Sequence, residues 1–261
     1  MNKEEQLNFI KNNYILYSRH TSKRKIRHDI FKNIRTEIQA YLLGFFASDG
    51  NINEKRKTIR IHLQKSDQEI IYLFKNIISP EARVFVKKEH NAIGRNGIKI
   101  KAHESIGIDI SSTILCNDLV NLGYGYNKTY SNLLLPKISN DLIKHFIRGY
   151  FDGDGSISGH IVRNEINKNP RLRLCFSICS KTDSLLKEIK QYFNKHDINV
   201  NINFANRDKM FILETSSIKE CKKIFDFLYN EANFYMNRKY VKYNHYVNTE
   251  VSQLIAEDRN A

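Results

Sequence analysis

The sequence predicts an α+β protein made of two similar halves, each with the order helix, two strands, helix, two strands, helix. One observation behind this prediction is a repeated apolar segment, at residues 42–50 and 147–155, that contains a glycine and closes on aspartate and glycine. The closing aspartates, Asp49 and Asp154, lie 105 residues apart. The other is that the same succession of strand and helix patterns follows each copy, which indicates an internal duplication.

The elements after each segment are predicted from hydrophobic periodicity. They are strands at residues 51–54, 58–64, 156–162 and 172–180, and helices at residues 69–78 and 185–193. The triplets 65–67 (Lys-Ser-Asp) and 181–183 (Lys-Thr-Asp) precede the two helices. Short oxygen side chains at such positions are typical of helix N-termini, because they accept free backbone N–H groups.

The remaining elements of each half follow the same periodicity. They are strands at residues 84–87, 98–110, 199–204 and 209–215, and helices at residues 113–122 and 218–228. We therefore divide the chain into a basic N-terminal extension (1–36), a first half (37–123), a linker (124–140), a second half (141–243) and a C-terminal tail (244–261). The basic stretch at residues 19–28 predicts either an arm that contacts nucleic acid or a disordered tail.

Composition indicates a partner with negative charge. The chain has 261 residues, a formal net charge of +14 and a pI of about 9.5. Such a charge predicts attraction to nucleic acid or to an anionic membrane. Because the basic residues are spread along the whole length, and no apolar run of about 18 residues or signal peptide is found, we expect nucleic acid and no membrane.

The cysteines and the overall residue composition indicate the kind of compartment and genome to which the protein belongs. The chain has four cysteines, Cys116, Cys175, Cys179 and Cys221, and none is arranged as a CxxC metal or redox pair. We expect small buried side chains in a reducing, intracellular compartment. The richness in Lys, Asn and Ile indicates an AT-rich genome, in a bacterium or phage host, with action in the cytoplasm or nucleoid, or in an organelle.

The repeated segments predict two helices whose final carboxylates meet. Gly44 and Gly149 permit close approach, and Gly50 and Gly155 lie where a left-handed helix cap is expected. Two carboxylates about 4 Å apart repel by roughly 4 kcal/mol at an effective dielectric constant of 20. They are tolerated if one is protonated or if divalent cations lie between them. The alternative is that each aspartate lies in a solvated turn; two copies at equivalent positions favour the paired site.

These segments resemble the LAGLIDADG motifs of the homing endonucleases, in the single-chain form with two motifs. The resemblance covers residues 37–243, and residues 146–157 are a near-complete match. The first motif is looser, because Ala47 stands where the family often has its first acidic residue, at the position equivalent to Asp152.

The resemblance implies a fold and an activity. The motif helices form the interface between the halves, and a four-stranded antiparallel sheet in each half lies as a saddle along the DNA major groove. Asp49 and Asp154 bind Mg²⁺, which activates water to hydrolyse one phosphodiester in each strand and leave short 3′ overhangs. Members of this form act as monomers on long double-stranded DNA targets and are often intron-encoded. The unequal halves suit a non-palindromic target.

The family also places polar and basic residues around the metals. By position, Gln64 corresponds to Ser180, and Lys128 corresponds to Lys239. A lysine there could stabilise negative charge in the transition state. The alternative for each lysine is an ordinary phosphate contact or a solvated surface charge.

Residues that would contact DNA are predicted from strand alternation, which places polar side chains on one face of each sheet. A solvated sheet face would show the same alternation, but these are the residue types that reach base edges and phosphates. They are Arg60, His62, Lys65, Lys99, Lys101, Arg171, Arg173, Lys181, Asn201 and Asn203.

A rival interpretation is a non-cleaving protein of the same fold. Such a protein would bind intron RNA as a maturase or would bind DNA without cutting it. Loss of either final acid would favour this interpretation, and both Asp49 and Asp154 are present.

Overall fold

The computed structural model describes residues 1–19, 22–93, 99–126, 131–162, 171–250 and 253–254, which form eight α-helices and twelve strands. The elements up to the linker are α1 Lys3–Asn13, β1 Tyr17–Arg19, β2 Ser22–Ile26, α2 Glu37–Asp49, β3 Asn51–Asn53, β4 Thr58–Gln64, α3 Gln68–Ile78, β5 Val84–Lys87, β6 His90–Ile93, β7 Lys99–Ala102, β8 Ser105–Ser111 and α4 Thr113–Asn121. Those after it are α5 Asn140–Asp154, β9 Gly155–Val162, β10 Arg171–Ser180, α6 Ser184–Asn194, β11 Asn201–Ala205, β12 Met210–Thr215, α7 Ile218–Tyr229 and α8 Asn237–Asn248.

Each half contains one four-stranded antiparallel sheet. The strand orders are β3-β4-β8-β5 and β9-β10-β12-β11, which are the same order in the two halves. Helices cover one face of each sheet, and the apolar residues of both halves join in one core. The predicted α+β fold with two αββαββα halves is therefore confirmed. In the described part of the chain, no helix is long and apolar enough to span a membrane.

The predicted strand at residues 98–110 was wrong in one respect. The structure divides it into β7 and β8, and β7 pairs with β6 in a separate two-stranded ribbon. The backbone C=O of Glu104, between them, accepts from the N–H of Lys65 instead of a strand neighbour. Only β8 joins the sheet of the first half, where it pairs with β4 and β5.

The left-handed caps expected at the motif glycines were also wrong. Gly50 has φ −72° and Gly155 has φ −82°, so the backbone becomes extended directly after each helix. A Cβ atom would lie 2.1 Å from the ring of Phe46 at the first position and 2.1 Å from the ring of Phe151 at the second. Glycine is needed there for the space that an aromatic ring occupies.

The N-terminal caps expected from residues 65–67 and 181–183 do not form, whereas caps form at Ser112 and Ser217, where none was predicted. The hydroxyls of Ser112 and Ser217 accept from backbone N–H groups at the start of α4 and α7, at 3.1 and 3.3 Å. Asp67 and Asp183 occupy the corresponding positions of α3 and α6 but make no side-chain cap. Their carboxylates bind basic side chains instead, those of Arg238 and Lys187.

Helices α2 and α5 pack against each other at backbone distance. A Cβ atom added to Gly44 would lie 2.0 Å from the carbonyl oxygen of Phe146, and one added to Gly149 would lie 2.1 Å from that of Tyr41. The two contacts are reciprocal, as expected for duplicated helices related by a two-fold axis. Any larger side chain would force the two backbones apart.

A buried ion pair fixes the two halves at the opposite end of this helix pair. Arg148 is fully buried, and its Nη2 donates to Glu37 Oε1 at 2.6 Å. The remaining guanidinium donors reach the carbonyl oxygens of Phe234 and Leu228 and the Nδ1 atom of His145. These hydrogen bonds offset part of the desolvation cost of burying the pair.

The N-terminal segment is folded onto the first half. Ile10, Tyr14, Ile26 and Phe31 are buried in the common core. The side chain of Gln6 donates to Glu37 at 3.0 Å and so reaches the network between the halves. At the other end of the chain, helix α8 continues to Asn248. The domain boundaries given above stay a prediction.

The substitution Gly149→Ala should destabilise the protein by about 3 kcal/mol or more, because its methyl group would overlap the backbone of α2. Thermal unfolding followed by circular dichroism measures the effect. Gln191→Ala, on the exposed side of α6, is the control and should leave the midpoint unchanged. A Gly149→Ala protein as stable as the wild type would contradict the close packing.

Stability should also fall in acid because of His145. Its burial, together with the charge of Arg148, lowers the pKa of His145 to about 4, so the imidazole is neutral in the folded protein at pH 6. The unfolded chain takes up this proton near pH 6.5, and the free energy of unfolding therefore falls as the pH drops from 6.5 to 4, by up to about 3 kcal/mol.

Urea unfolding across this pH range, compared with a His145→Asn variant, isolates the contribution of His145. The asparagine carbonyl can accept from Arg148 as the imidazole does, but it does not titrate. The variant should lose less stability than the wild type over the same range. Parallel curves for the two proteins would show that the imidazole does not carry the effect.

Candidate metal centre and nucleic-acid interface

The two motif carboxylates lie at one place on the molecular surface. Asp49 and Asp154 are the last residues of α2 and α5, and both are exposed. Close packing extends to this end, since a Cβ atom at Gly153 would lie 1.8 Å from Ser48 Oγ and 2.4 Å from Asp49 Oδ2. The Asp49 carboxylate therefore touches the backbone of the residue that precedes Asp154.

The buried phenol of Tyr150 lies close enough to Asp49 and Asp154 for both carboxylates to affect its pKa. Burial raises its pKa most, and the negative charges of Asp154 and Asp49 raise it further. The side chain of Ser180 forms a hydrogen bond that acts in the opposite direction. Tyr150 therefore keeps its proton and is an uncharged side chain close to the two carboxylates.

Lys239 lies below the same centre and faces inward. Its Nζ donates to the carbonyl oxygens of Phe151, Gly153 and Gly155, at 2.7, 3.0 and 2.6 Å. All three ammonium protons are used in this way, at the C-terminal end of α5, where a cation offsets the partial negative charge of the helix. Burial lowers the pKa of Lys239 to about 8, against the opposing effects of nearby carboxylates.

Asp152 is buried and ties the end of α5 to α2 of the first half and to residues 229–236 of the second half. Its carboxylate accepts from the hydroxyls of Tyr41 and Tyr229, at 2.8 and 2.6 Å, and from the backbone N–H of Met236 at 2.7 Å. Burial raises its pKa, while these hydrogen bonds lower it. The equivalent residue of the first half, Ala47, is also buried.

Two unequal clefts flank the acidic pair. The cleft on the Asp49 side, of about 450 Å³, is lined by Gln64 and by Arg238, which the buried Asp67 holds with two hydrogen bonds of 2.8 and 2.9 Å. The cleft on the Asp154 side, of about 370 Å³, is lined by Tyr150, Cys179, Ser180, Lys181 and Met210, among others. Gln64 and Ser180 thus occupy equivalent places, one in each cleft.

The donors present suit a hard divalent cation. In the described residues, no group of three or more His, Cys, Asp or Glu side chains could hold a metal by itself. The acidic pair offers carboxylate oxygens only. Mg²⁺ is commonly held by one or two carboxylates together with water and substrate phosphates. Asp49 and Asp154 fit this pattern, with the remaining ligands left to a phosphate substrate.

The polar residues predicted to contact DNA line one face of each sheet. Strand register places Arg60 and His62 of β4 on the face opposite the helices in the first half. It does the same for Arg171, Arg173, Asn201 and Asn203 in the second half. We call these two surfaces the polar faces. The predicted shared face is therefore present in both sheets.

Other predicted residues lie away from the polar faces. Lys99 and Lys101 belong to the β6–β7 ribbon, where Lys101 pairs with Glu89 at 2.8 Å. Lys65 lies in the turn after β4, and Lys181 lines the Asp154 cleft, where its Nζ donates to the carbonyl oxygen of Asp208. Lys128, the predicted partner of Lys239, is outside the described residues.

Several contributors were missed by the sequence analysis. Asp67 was interpreted as a helix cap, and Arg238 was given no function, although the two form an ion pair between the halves. Asp109 and Phe85 of the first polar face were also missed. The repeat offered one signal for Asp109: it is followed by Ser111 and Ser112 as Glu214 is followed by Ser216 and Ser217.

Comparison with known families and structures supports the sequence resemblance. A model described as "LAGLIDADG endonuclease" matches residues 147–249, and one described as "LAGLIDADG-like domain" matches residues 36–96. No curated protein matches the sequence. The two family models fall one on each half, as the internal duplication requires.

Solved structures share the fold at low sequence identity. The meganuclease I-CpaMI bound to uncleaved DNA superimposes with a TM-score of 0.58 and 15% identity, over 87% of this chain and 96% of that one. The meganuclease I-SmaMI bound to uncleaveable DNA gives 0.56 and 14%, over 86% and 96%. I-SmaMI bound to cleaved DNA gives 0.55 and 16%, over 87% and 92%. At these identities the likeness shows the two-half fold.

Removal of the Lys239 ammonium should destabilise the second half. Lys239→Met keeps the length of the side chain but leaves three carbonyl groups at the end of α5 without their donor, at a cost of about 2 kcal/mol or more. Chemical unfolding measures the change, with Lys242→Met on the exposed face of α8 as the matched control. Equal stability of Lys239→Met and wild type would contradict a capping contact.

Proposed function

The chain belongs to the LAGLIDADG endonuclease family, with one motif in each half, and from this we propose that it is a homing endonuclease that makes a double-strand break at a specific DNA site. The observation that carries the proposal is the acidic pair. Asp49 and Asp154 end two helices that touch at backbone distance, and both carboxylates are exposed.

The polar faces are proposed to hold the duplex. They belong to the same strands in both halves and carry arginine and asparagine side chains, which suit phosphates and base edges in the major groove. The net charge of +14 attracts the polyanion from a distance. With one sheet on each side of the motif helices, the carboxylates lie at the middle of the bound duplex.

The acidic pair is proposed to hold Mg²⁺. When bound there, the cation would activate water and stabilise the negative charge that develops on the phosphate. The chain itself supplies two carboxylates in fixed positions, one for each strand. Hydrolysis of one phosphodiester in each strand across the minor groove would leave short 3′ overhangs.

Three side chains are proposed to support this chemistry. Gln64 and Ser180 line opposite clefts and can each orient water or a phosphate by hydrogen bonds. Lys239 contributes from beneath, because its charge lies close to both carboxylates while its protons are held by backbone carbonyls. It therefore positions the end of α5 and lowers the repulsion between the two acids.

The target is proposed to be long and non-palindromic. Arg238 lines only the Asp49 cleft, and Lys181 lines only the Asp154 cleft, so the two strands meet different side chains. The polar faces also differ in residue type. Since both halves lie on one chain, a monomer suffices, and it would act inside the cell where its DNA is found. Both final acids are present, which favours cleavage over the non-cleaving maturase.

The variant Asp154→Asn should abolish cleavage and leave binding unchanged or tighter. The amide removes a metal ligand, and it also removes a negative charge that repels the phosphates. A target recovered from a randomised-site library, with each strand end-labelled, reports cleavage with Mg²⁺, and a mobility-shift assay without Mg²⁺ reports binding.

The matched control is Asp226→Asn, an exposed acid on α7 far from the motif in sequence. It should cut at the wild-type rate. If the Asp154→Asn protein cuts at the wild-type rate, the role of Asp154 is purely structural. Failure of the wild type to cut any duplex would favour the binding protein.

A further inference from the structure

The first polar face contains a guanidinium that is already held in place. Arg60 of β4 and Asp109 of β8 are directly opposite in the strand register. Two hydrogen bonds join them, from Nε to Oδ1 at 2.7 Å and from Nη2 to Oδ2 at 2.6 Å. The side chains are 54% and 36% exposed, so the pair is accessible to a ligand on this face.

An aromatic ring supports the same guanidinium. The Arg60 Cζ atom lies 5.9 Å from the centre of the Phe85 ring, and the centre of the His62 ring lies 5.7 Å from the centre of the Phe85 ring. Phe85 lies across the strand at Gly107, where a Cβ atom would be 2.4 Å from its ring. Burial and the charges of Lys87 and Arg60 lower the pKa of His62, so its imidazole is neutral at pH 7.

The geometry leaves one edge of the guanidinium free. Arginine has five N–H donors in a planar fork. Asp109 occupies Nε and one proton of Nη2, so Nη1 and the second Nη2 proton remain as a pair of parallel donors. This pair matches the O6 and N7 acceptors of guanine in the major groove.

We propose that Arg60, positioned by Asp109 and Phe85, reads one guanine in the half-site bound by the first half of the protein. The inference rests on the proposed function, because it requires a duplex on the polar faces. It adds to that function a named base and the residue that selects it.

A base edge fits this arginine better than a phosphate does. The carboxylate of Asp109 already neutralises the guanidinium, and it would repel a phosphate placed beside it. A guanine edge is an uncharged acceptor and meets no such repulsion. Arg60 also lies on an inner strand of the sheet, away from the edge strands β3 and β5. Holding the fork in advance lowers the entropy lost on binding.

The second half has no equivalent of this arrangement among its described residues. There Ser177 is the strand partner of Glu214, the counterpart of Asp109. The Glu214 carboxylate accepts from the side-chain amide of Asn203 at 2.8 Å. The guanine preference is therefore expected in one half-site only, which makes Glu214 a matched control.

The test measures base preference for the wild type and four variants. Duplexes selected by the wild type from a randomised library give the target, and each base pair is then changed in turn in competition binding without Mg²⁺. The variants are Arg60→Lys, Arg60→Gln, Asp109→Asn and the control Glu214→Gln. Arg60→Lys keeps the charge but cannot bind two acceptors in parallel.

The wild type should prefer guanine at one position by roughly tenfold to a hundredfold. Arg60→Lys and Arg60→Gln should lose this preference and keep the preferences at other positions. Asp109→Asn should weaken it, and Glu214→Gln should leave it unchanged. All four variants should keep the wild-type circular dichroism spectrum, since Arg60 is exposed and Asp109 and Glu214 are only half-buried on a sheet surface.

Two results would overturn the inference alone. One is a phosphate contact at Arg60. In that case Arg60→Gln loses affinity equally for all sequences, its slope of log K against log salt falls by about 0.9, and Arg60→Lys binds like the wild type. The other is a guanine preference in Asp109→Asn equal to that of the wild type. If the wild-type protein selects no sequence from the library, both the proposed function and the guanine contact of Arg60 are overturned.

Discussion

The approach of α2 to α5 at backbone distance is the constraint on which the rest of the structure depends. Gly44 and Gly149 leave no side chain between the helices, so the ends of both are fixed relative to each other. This brings Asp49 beside the backbone before Asp154 and sets the two sheets on either side of one centre. Two carboxylates placed in this way repel unless a cation lies near them or one of them is protonated.

The polar contacts around the two motif helices do not follow the two-fold symmetry of the backbone. Glu37 and Arg148 form a buried pair at one end of the helices, and Asp67 and Arg238 form another beside the Asp49 cleft. Each pair joins residues from different halves, so it also fixes their relative orientation. A protein with two similar halves thus acquires two different clefts beside its paired acids.

Much of the fold could be predicted from the sequence, because periodicity is a local property. Strands β4 and β5 begin and end as predicted, and the repeat identified the motif helices and their acids. The rest depends on contacts between distant residues. Arg238 lies 171 residues from Asp67, and Lys239 reaches carbonyls more than 80 residues away. No local pattern shows that the lysine faces inward, or that Gly50 makes room for a ring.

The most direct test of the central claim is a crystal structure of the protein on its target duplex with Ca²⁺, a cation whose oxygen ligands lie at about 2.3–2.6 Å. The account predicts calcium peaks, located by anomalous scattering, in contact with the carboxylates of both Asp49 and Asp154 and with phosphates of the two strands. Calcium bound elsewhere, or carboxylates turned away from the phosphates in a sequence-specific complex, would contradict it.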